Sequence, residues 1–221
     1  MVLAAVVRFF TLAVLACIIT QGSAQRSREG RQRWSVFEYP NPQYDYSQCG
    51  RPNTSSVCDP NGIISRQDAD IIDGLISALY RETICQCYDC ITNKHGHIIK
   101  VALMPEMERV FPDGENTTLA RLRDAQMYSY ILTQRWRMEG ACNESLLILF
   151  SRNDGILYTL TRQITRIKLS DEDVKKISLI VRHFFDRPET IASGLREMIH
   201  RYRLIFENKH SEAFQSVTQQ G

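Results

Sequence analysis

The chain has almost no net charge, with 27 Lys and Arg against 25 Asp and Glu over 221 residues, a formal +2. That balance supplies no general field for nucleic acid. Glycine (11 residues) and proline (7 residues) are too scarce for a collagen or a low-complexity chain. No internal repeat is visible. G-x-S-x-G, H-E-x-x-H, the P-loop and G-x-G-x-x-G are all missing, which removes the easily recognised hydrolases, metalloproteases and nucleotide enzymes and nothing further. What remains is 43% hydrophobic and 24% charged, the composition of an ordinary folded protein of one domain.

Residues 1–24 read as a secretory leader: Arg8 is the basic start, Phe9 to Ile19 an apolar run of 11, and Gly22-Ser23-Ala24 a small-residue site that predicts cleavage before Gln25. The run is too short to cross a bilayer, which takes roughly 20 apolar residues. Cleavage removes Cys17 and leaves Cys49, Cys58, Cys85, Cys87, Cys90 and Cys142. An even count behind a leader fits an oxidised extracellular domain. Three sequons, at Asn53, Asn116 and Asn143, agree with export. No second apolar stretch reaches membrane length, so a secreted, soluble mature chain is expected.

Residues 25–47 look like an extended basic and aromatic arm. Arg26, Arg28, Arg31 and Arg33 crowd its start, and Pro40 and Pro42 forbid a helix. It either docks on a partner, or folds over its own domain or is simply mobile. The domain proper is expected over 48–208, with a polar tail at 209–221. Ser65 caps a helix over about 66–83 whose stripe is Ala69, Ile72, Leu75, Ile76 and Leu79. After a Cys-rich connection, Ile98 to Met104 is a β-branched strand stopped by Pro105. Leu119, Leu122, Ala125, Tyr128 and Leu132 mark a second helix ending near Trp136. Leu146 to Phe150 suits a strand buried on both faces, and Asn153-Asp154-Gly155 turns it into Ile156 to Thr161 as an antiparallel hairpin. Ser170 opens a third helix with Val174, Ile177, Val181 and Phe184 inward, and Pro188 opens a fourth. This alternation predicts an α/β fold with a mostly parallel sheet between helical layers.

Two clusters could carry chemistry. Cys85-x-Cys87-x-x-Cys90 with His95 and His97 offers three thiols and two imidazoles for zinc, although disulfide bonding is the stronger reading in an exported chain. Cys85 and Cys87 are too close to bridge each other, so each seeks another partner. Asp59 and Asn61, just before the first helix, offer hard oxygen ligands for calcium, or simply make a turn.

The order of Cys58-Asp59-Pro60-Asn61-Gly62-Ile63-Ile64-Ser65, Arg135-Trp136, Cys142-Asn143-Glu144-Ser145-Leu146-Leu147-Ile148-Leu149 and Leu169-Ser170-Asp171 resembles the TPM domain. Within it the chain is most similar to the extracellular animal branch, the levamisole-receptor-modulator family. The resemblance covers about 49–208. It implies a three-layer α/β/α sandwich and, for the animal branch, a membrane-anchored auxiliary subunit of a nicotinic-type acetylcholine receptor. For plant and bacterial relatives it implies calcium binding and, in some, acid phosphatase activity, with a site at the first aspartate, here Asp59, and an acidic residue before the buried strand.

Measured against that pattern the site is degenerate. Asn143-Glu144-Ser145 replaces an acidic, glycine-containing turn, and Thr161-Arg162-Gln163-Ile164 lacks the glycine expected after the hairpin. The resemblance therefore implies weak calcium binding through Asp59, Asn61 and Glu144, no other cofactor, and no catalysis. It also implies that the Asp59 and Asn143 loops are neighbours, with Cys58 bonded to Cys142, one of 15 pairings that six cysteines allow. The expected protein is a secreted binding domain for a receptor ectodomain at the cell surface, with no nucleic-acid partner. Its rivals are a calcium-assisted phosphatase and a structural extracellular protein.

Overall fold

The computed structural model describes residues 30–111 and 117–215. The expected leader, Asn116 of the second sequon and residues 216–221 of the tail lie outside these. Four strands make the main sheet, in the order β2 (Val57–Cys58), β3 (Ile98–Met104), β5 (Ser145–Ser151) and β6 (Ile156–Thr161). The first three run parallel and β6 returns antiparallel, Ser151 facing Ile156 across the turn. A second pair, β1 (Arg33–Trp34) and β4 (Glu106–Met107), is also parallel.

Alternation along β3 and β5 divides the core in two. Ile99, Val101, Leu103, Leu146, Ile148 and Phe150 join the cluster under α1 (Arg66–Glu82), α5 (Asp171–Val181) and α6 (Ile191–Phe206). Ala102, Met104, Leu147 and Leu149 join the cluster under α3 (Thr118–Arg135). Every residue of β5 is buried, as its run without polar alternation requires. The result is a three-layer α/β/α sandwich with a small, mostly parallel sheet and one antiparallel hairpin.

The helix starts follow their capping chemistry. Ser65 Oγ accepts the Asp68 N–H at 3.0 Å, and Ser170 and Asp173 close a reciprocal capping box. Pro188 opens a short 3-10 turn, Pro188–Thr190, and the helix proper begins at Ile191. Phe184 lies in another such turn, Arg182–Phe185, beyond the end of α5. Small helices α2 (Tyr88–Asn93), α4 (Gln163–Lys168) and α7 (His210–Ala213) fill connections.

From Arg33 onward the arm lies over its own domain, whereas the end of the domain and the inward face of α3 need correction. Trp34, Val36 and Tyr39 are buried in the α3 cluster, and the Tyr39 hydroxyl lies 2.9 Å from the Cys58 carbonyl and 2.8 Å from that of Leu103. The domain runs past 208, because Ala213 is buried and the Arg201 guanidinium donates to the Ala213 and Gln215 carbonyls. On α3, Leu119 and Leu122 are exposed, while Ala120 and Asp124 turn inward. The buried Asp124 carboxylate is committed to the Arg109 guanidinium and the Phe111 N–H, and this fixes the rotation of the first turns.

Candidate functional site

Asp59 follows β2 directly, and its carboxylate accepts the N–H groups of Ile63 and Ile64, each at 2.9 Å. Gly62 takes the positive φ (65°) that this tight turn needs. Burial raises the Asp59 carboxyl above its ordinary value, and the backbone N–H bonds work against that rise. Asn61 Oδ1 accepts the Trp34 indole N–H at 2.7 Å. Both side chains read as calcium ligands are thus engaged in fastening the turn and the N-terminal segment to it.

Glu144 stands immediately before β5 and is buried. Its carboxylate accepts the N–H groups of Ala141 at 3.0 Å and Cys142 at 2.8 Å. Asn143 beside it adopts a left-handed backbone (φ 60°), and its Oδ1 accepts from Arg162 at 2.7 Å. The loop that carries the third sequon is thereby clamped.

Sheet register separates the two loops. Cys58 pairs with Ala102 on β3, whereas Ser145 pairs with Ile98. Asp59 therefore lies level with Leu103 and Glu144 level with His97, about 20 Å apart along the strand direction. Parallel strands put a residue that follows one strand and a residue that precedes another at opposite ends of the sheet. Asp59, Asn61 and Glu144 do not form one ligand set.

The same register overturns the Cys58–Cys142 bridge. Cys58 bonds Cys49, nine residues away in sequence, while Cys142 bonds Cys87 across 55 residues, and Cys85 bonds Cys90. All six cysteines among the described residues are bridged, so the thiols of the zinc reading are consumed. The histidines of that reading also part company. His95 stacks on Tyr80, with ring centroids 5.1 Å apart, and its Nε2 meets Asp89 at 3.1 Å. Burial works against its charged form, but the bonds to Asp89 and the Gly96 carbonyl prevail and raise its pKa. His97 is fully buried on Phe206, its Nδ1 is 3.0 Å from Thr165 Oγ1, and desolvation lowers it to about 4.

Two features escaped the sequence. The segment braced by the Cys85–Cys90 and Cys87–Cys142 bridges carries apolar side chains outward: Tyr88 is 86% exposed, Ile91 61% and Ile84 54%. The three-residue spacing of Tyr88 and Ile91 was the available signal. The other is Lys100, a buried lysine within β3.

No curated protein matches the chain. The solution NMR structure of the N-terminal domain of a protein from P. gingivalis shares the fold, with a TM-score of 0.56 at 15% identity, covering 82% of this chain and 96% of that one. A family model described as modulator of levamisole receptor-1 matches residues 34–155, which takes in the N-terminal segment, the Asp59 turn, the Cys-rich connection and the Glu144 loop. The chain belongs to the modulator of levamisole receptor-1 family.

Proposed function

We propose that the protein is a secreted, non-catalytic extracellular factor that modulates a levamisole-sensitive, nicotinic-type acetylcholine receptor by binding its ectodomain. The observation that carries this reading is the family match over residues 34–155. The chemistry of the two polar loops supports it. The Asp59 and Glu144 carboxylates each accept two backbone N–H groups and lie at opposite ends of the sheet. A calcium-assisted phosphatase would need them together and free to bind.

Extracellular placement is supported by the three disulfides. Among the described residues no helix is long and apolar enough to cross a membrane. For the receptor contact we assign the exposed Ile84, Tyr88 and Ile91 on their braced segment. A rigid apolar and aromatic surface loses little freedom on binding, and tyrosine is a frequent anchor of interfaces.

Co-expression with a levamisole-sensitive receptor tests the reading. A change in current amplitude and co-purification with the receptor are expected, both weakened by Tyr88→Ala with Ile91→Ala. Unchanged currents without co-purification would overturn it.

A further inference from the structure

β2 covers only part of its neighbour. It pairs with Val101 and Ala102 of β3, and the last bond at its start is from the Val101 N–H to the Ser56 carbonyl at 2.8 Å. Ile98 donates the other way, to the Glu144 carbonyl beside β5. Ladder alternation therefore turns the N–H of Ile99 outward, to a side where no strand lies among the described residues. The Ser56 N–H, which would otherwise extend the pairing, is taken by the Asp73 carboxylate at 2.6 Å.

A cavity of about 350 Å³ opens along this uncovered stretch, small but within the range of ligand pockets. Its apolar walls include Ile76, Ile99 and the ring of Tyr80. Its polar lining is rich in donors: Lys100, Arg81 and His97 contribute, and among the described residues no carboxylate lines it. Lys100 is 8% exposed and has one bond to protein, to the Ser55 carbonyl at 3.1 Å, although an ammonium has three donors. A buried ammonium with donors left over in this way points to a missing acceptor.

We propose that this cavity binds a small organic carboxylate, whose oxygens meet the Lys100 ammonium and the Ile99 N–H while its apolar body lies against Ile76 and Tyr80. A carboxylate supplies what the lining lacks: negative charge, acceptors, and through its body apolar contact. The site goes beyond the receptor reading and does not depend on it.

The charges around Lys100 fix the pH dependence. Asp73 on α1 favours the ammonium, but Asp73 is already shared with Arg51 at 3.0 Å, the Ser55 hydroxyl and the Ser56 N–H. Arg81 adds positive charge, and His97 is neutral near pH 7. Desolvation therefore prevails and lowers Lys100 to about 8. A bound carboxylate favours the charged form, so binding takes up a proton only near and above pH 8 and weakens there.

Isothermal titration calorimetry of the purified, oxidised protein with benzoate tests the proposal. Benzamide and inorganic phosphate serve as controls for shape without charge and charge without an apolar body. Benzoate is expected to bind at least tenfold more tightly than either, and about tenfold more weakly at pH 9 than at pH 7. Lys100→Met should weaken it at least tenfold in a protein that still melts cooperatively. In the unaltered protein, benzoate should shift the Ile99 amide resonance, a reading independent of any variant. Absence of benzoate binding, equal affinity for either control, unchanged affinity in Lys100→Met or an unmoved Ile99 resonance would overturn the assignment.

Discussion

The carboxylate of Glu144 fills the space in which a side chain at Gly140 would stand. Gly140 also holds a left-handed backbone, φ +59°, so it meets two constraints at once. Gly155 shares the conformation, φ +63°, but has open space where a Cβ would go. Gly155→Ala should cost about 1 kcal/mol, the strain of the left-handed region alone. Gly140→Ala should cost about 3 kcal/mol, because it must also displace a buried carboxylate from two N–H groups. Urea denaturation of both variants checks this. Equal losses would mean that the Glu144 loop yields freely.

Much of this architecture was legible because the residues that build it act locally. Ser65 and Ser170 announce their helices through bonds to N–H groups three residues on, and the β-branched run Ile98 to Met104 has no other stable use. Leu119 and Leu122 misled because the inward face of α3 is set by Asp124 and its bond to Arg109, a long-range ion pair that no periodicity encodes. The pairing of Cys142 was illegible for a related reason. Chain order places Cys58 and Cys142 each beside a polar loop, but only the register on β3 reveals that those loops lie at opposite ends. Which reading of the arm holds could not be decided from the sequence, because the partners of Tyr39, the Cys58 and Leu103 carbonyls, become adjacent only once β2 pairs with β3.

The bridges that brace the apolar segment differ in loop length, and the two should not matter equally. Cys87–Cys142 closes 55 residues and Cys85–Cys90 closes 5. On chain entropy, replacing the first pair by serine should lower stability by about 4 kcal/mol and the second by about 2 kcal/mol. The Cys85/Cys90 variant should keep its fold but lose order around Tyr88, and with it the receptor contact proposed for that segment. Denaturation midpoints and amide exchange over residues 84–93 would check this. Equal losses from the two pairs would show that the short loop contributes more than its length accounts for.

The sequons at Asn53 and Asn143 should not be used equally. Asn53 is exposed in a connection before β2, where a glycan meets no packed neighbour. Asn143 is half-buried, its Oδ1 receives Arg162, and Ser145 of the same sequon is fully buried in β5. Folded protein expressed through a eukaryotic secretory pathway should therefore carry glycan at Asn53 and none at Asn143. Glycopeptide mass spectrometry of secreted material reads this directly. A high occupancy at Asn143 would require the Arg162 clamp and the start of β5 to open in the mature protein.

Lys100 should make the fold less stable than it could be. The unfolded chain holds the lysine proton up to about 10.5, whereas the folded chain releases it at about 8. Between these values the unfolded chain binds more protons, so stability rises with pH across that window, and below it the full burden of a buried charge is present. That burden is about 3 kcal/mol, offset by roughly 1 kcal/mol for the bond to the Ser55 carbonyl. Lys100→Met, which keeps the length of the side chain and removes the charge, should thus gain about 2 kcal/mol at pH 7. The gain should shrink as the pH is raised from 8 towards 10.5. Denaturation at pH 7 and pH 10 measures both. A lysine that lowers stability where methionine would raise it is more readily understood as part of a site than of a core, since function commonly retains residues at the expense of folding. A variant less stable than the parent, by the same amount at both pH values, would instead make Lys100 a structural residue whose charge is fully compensated.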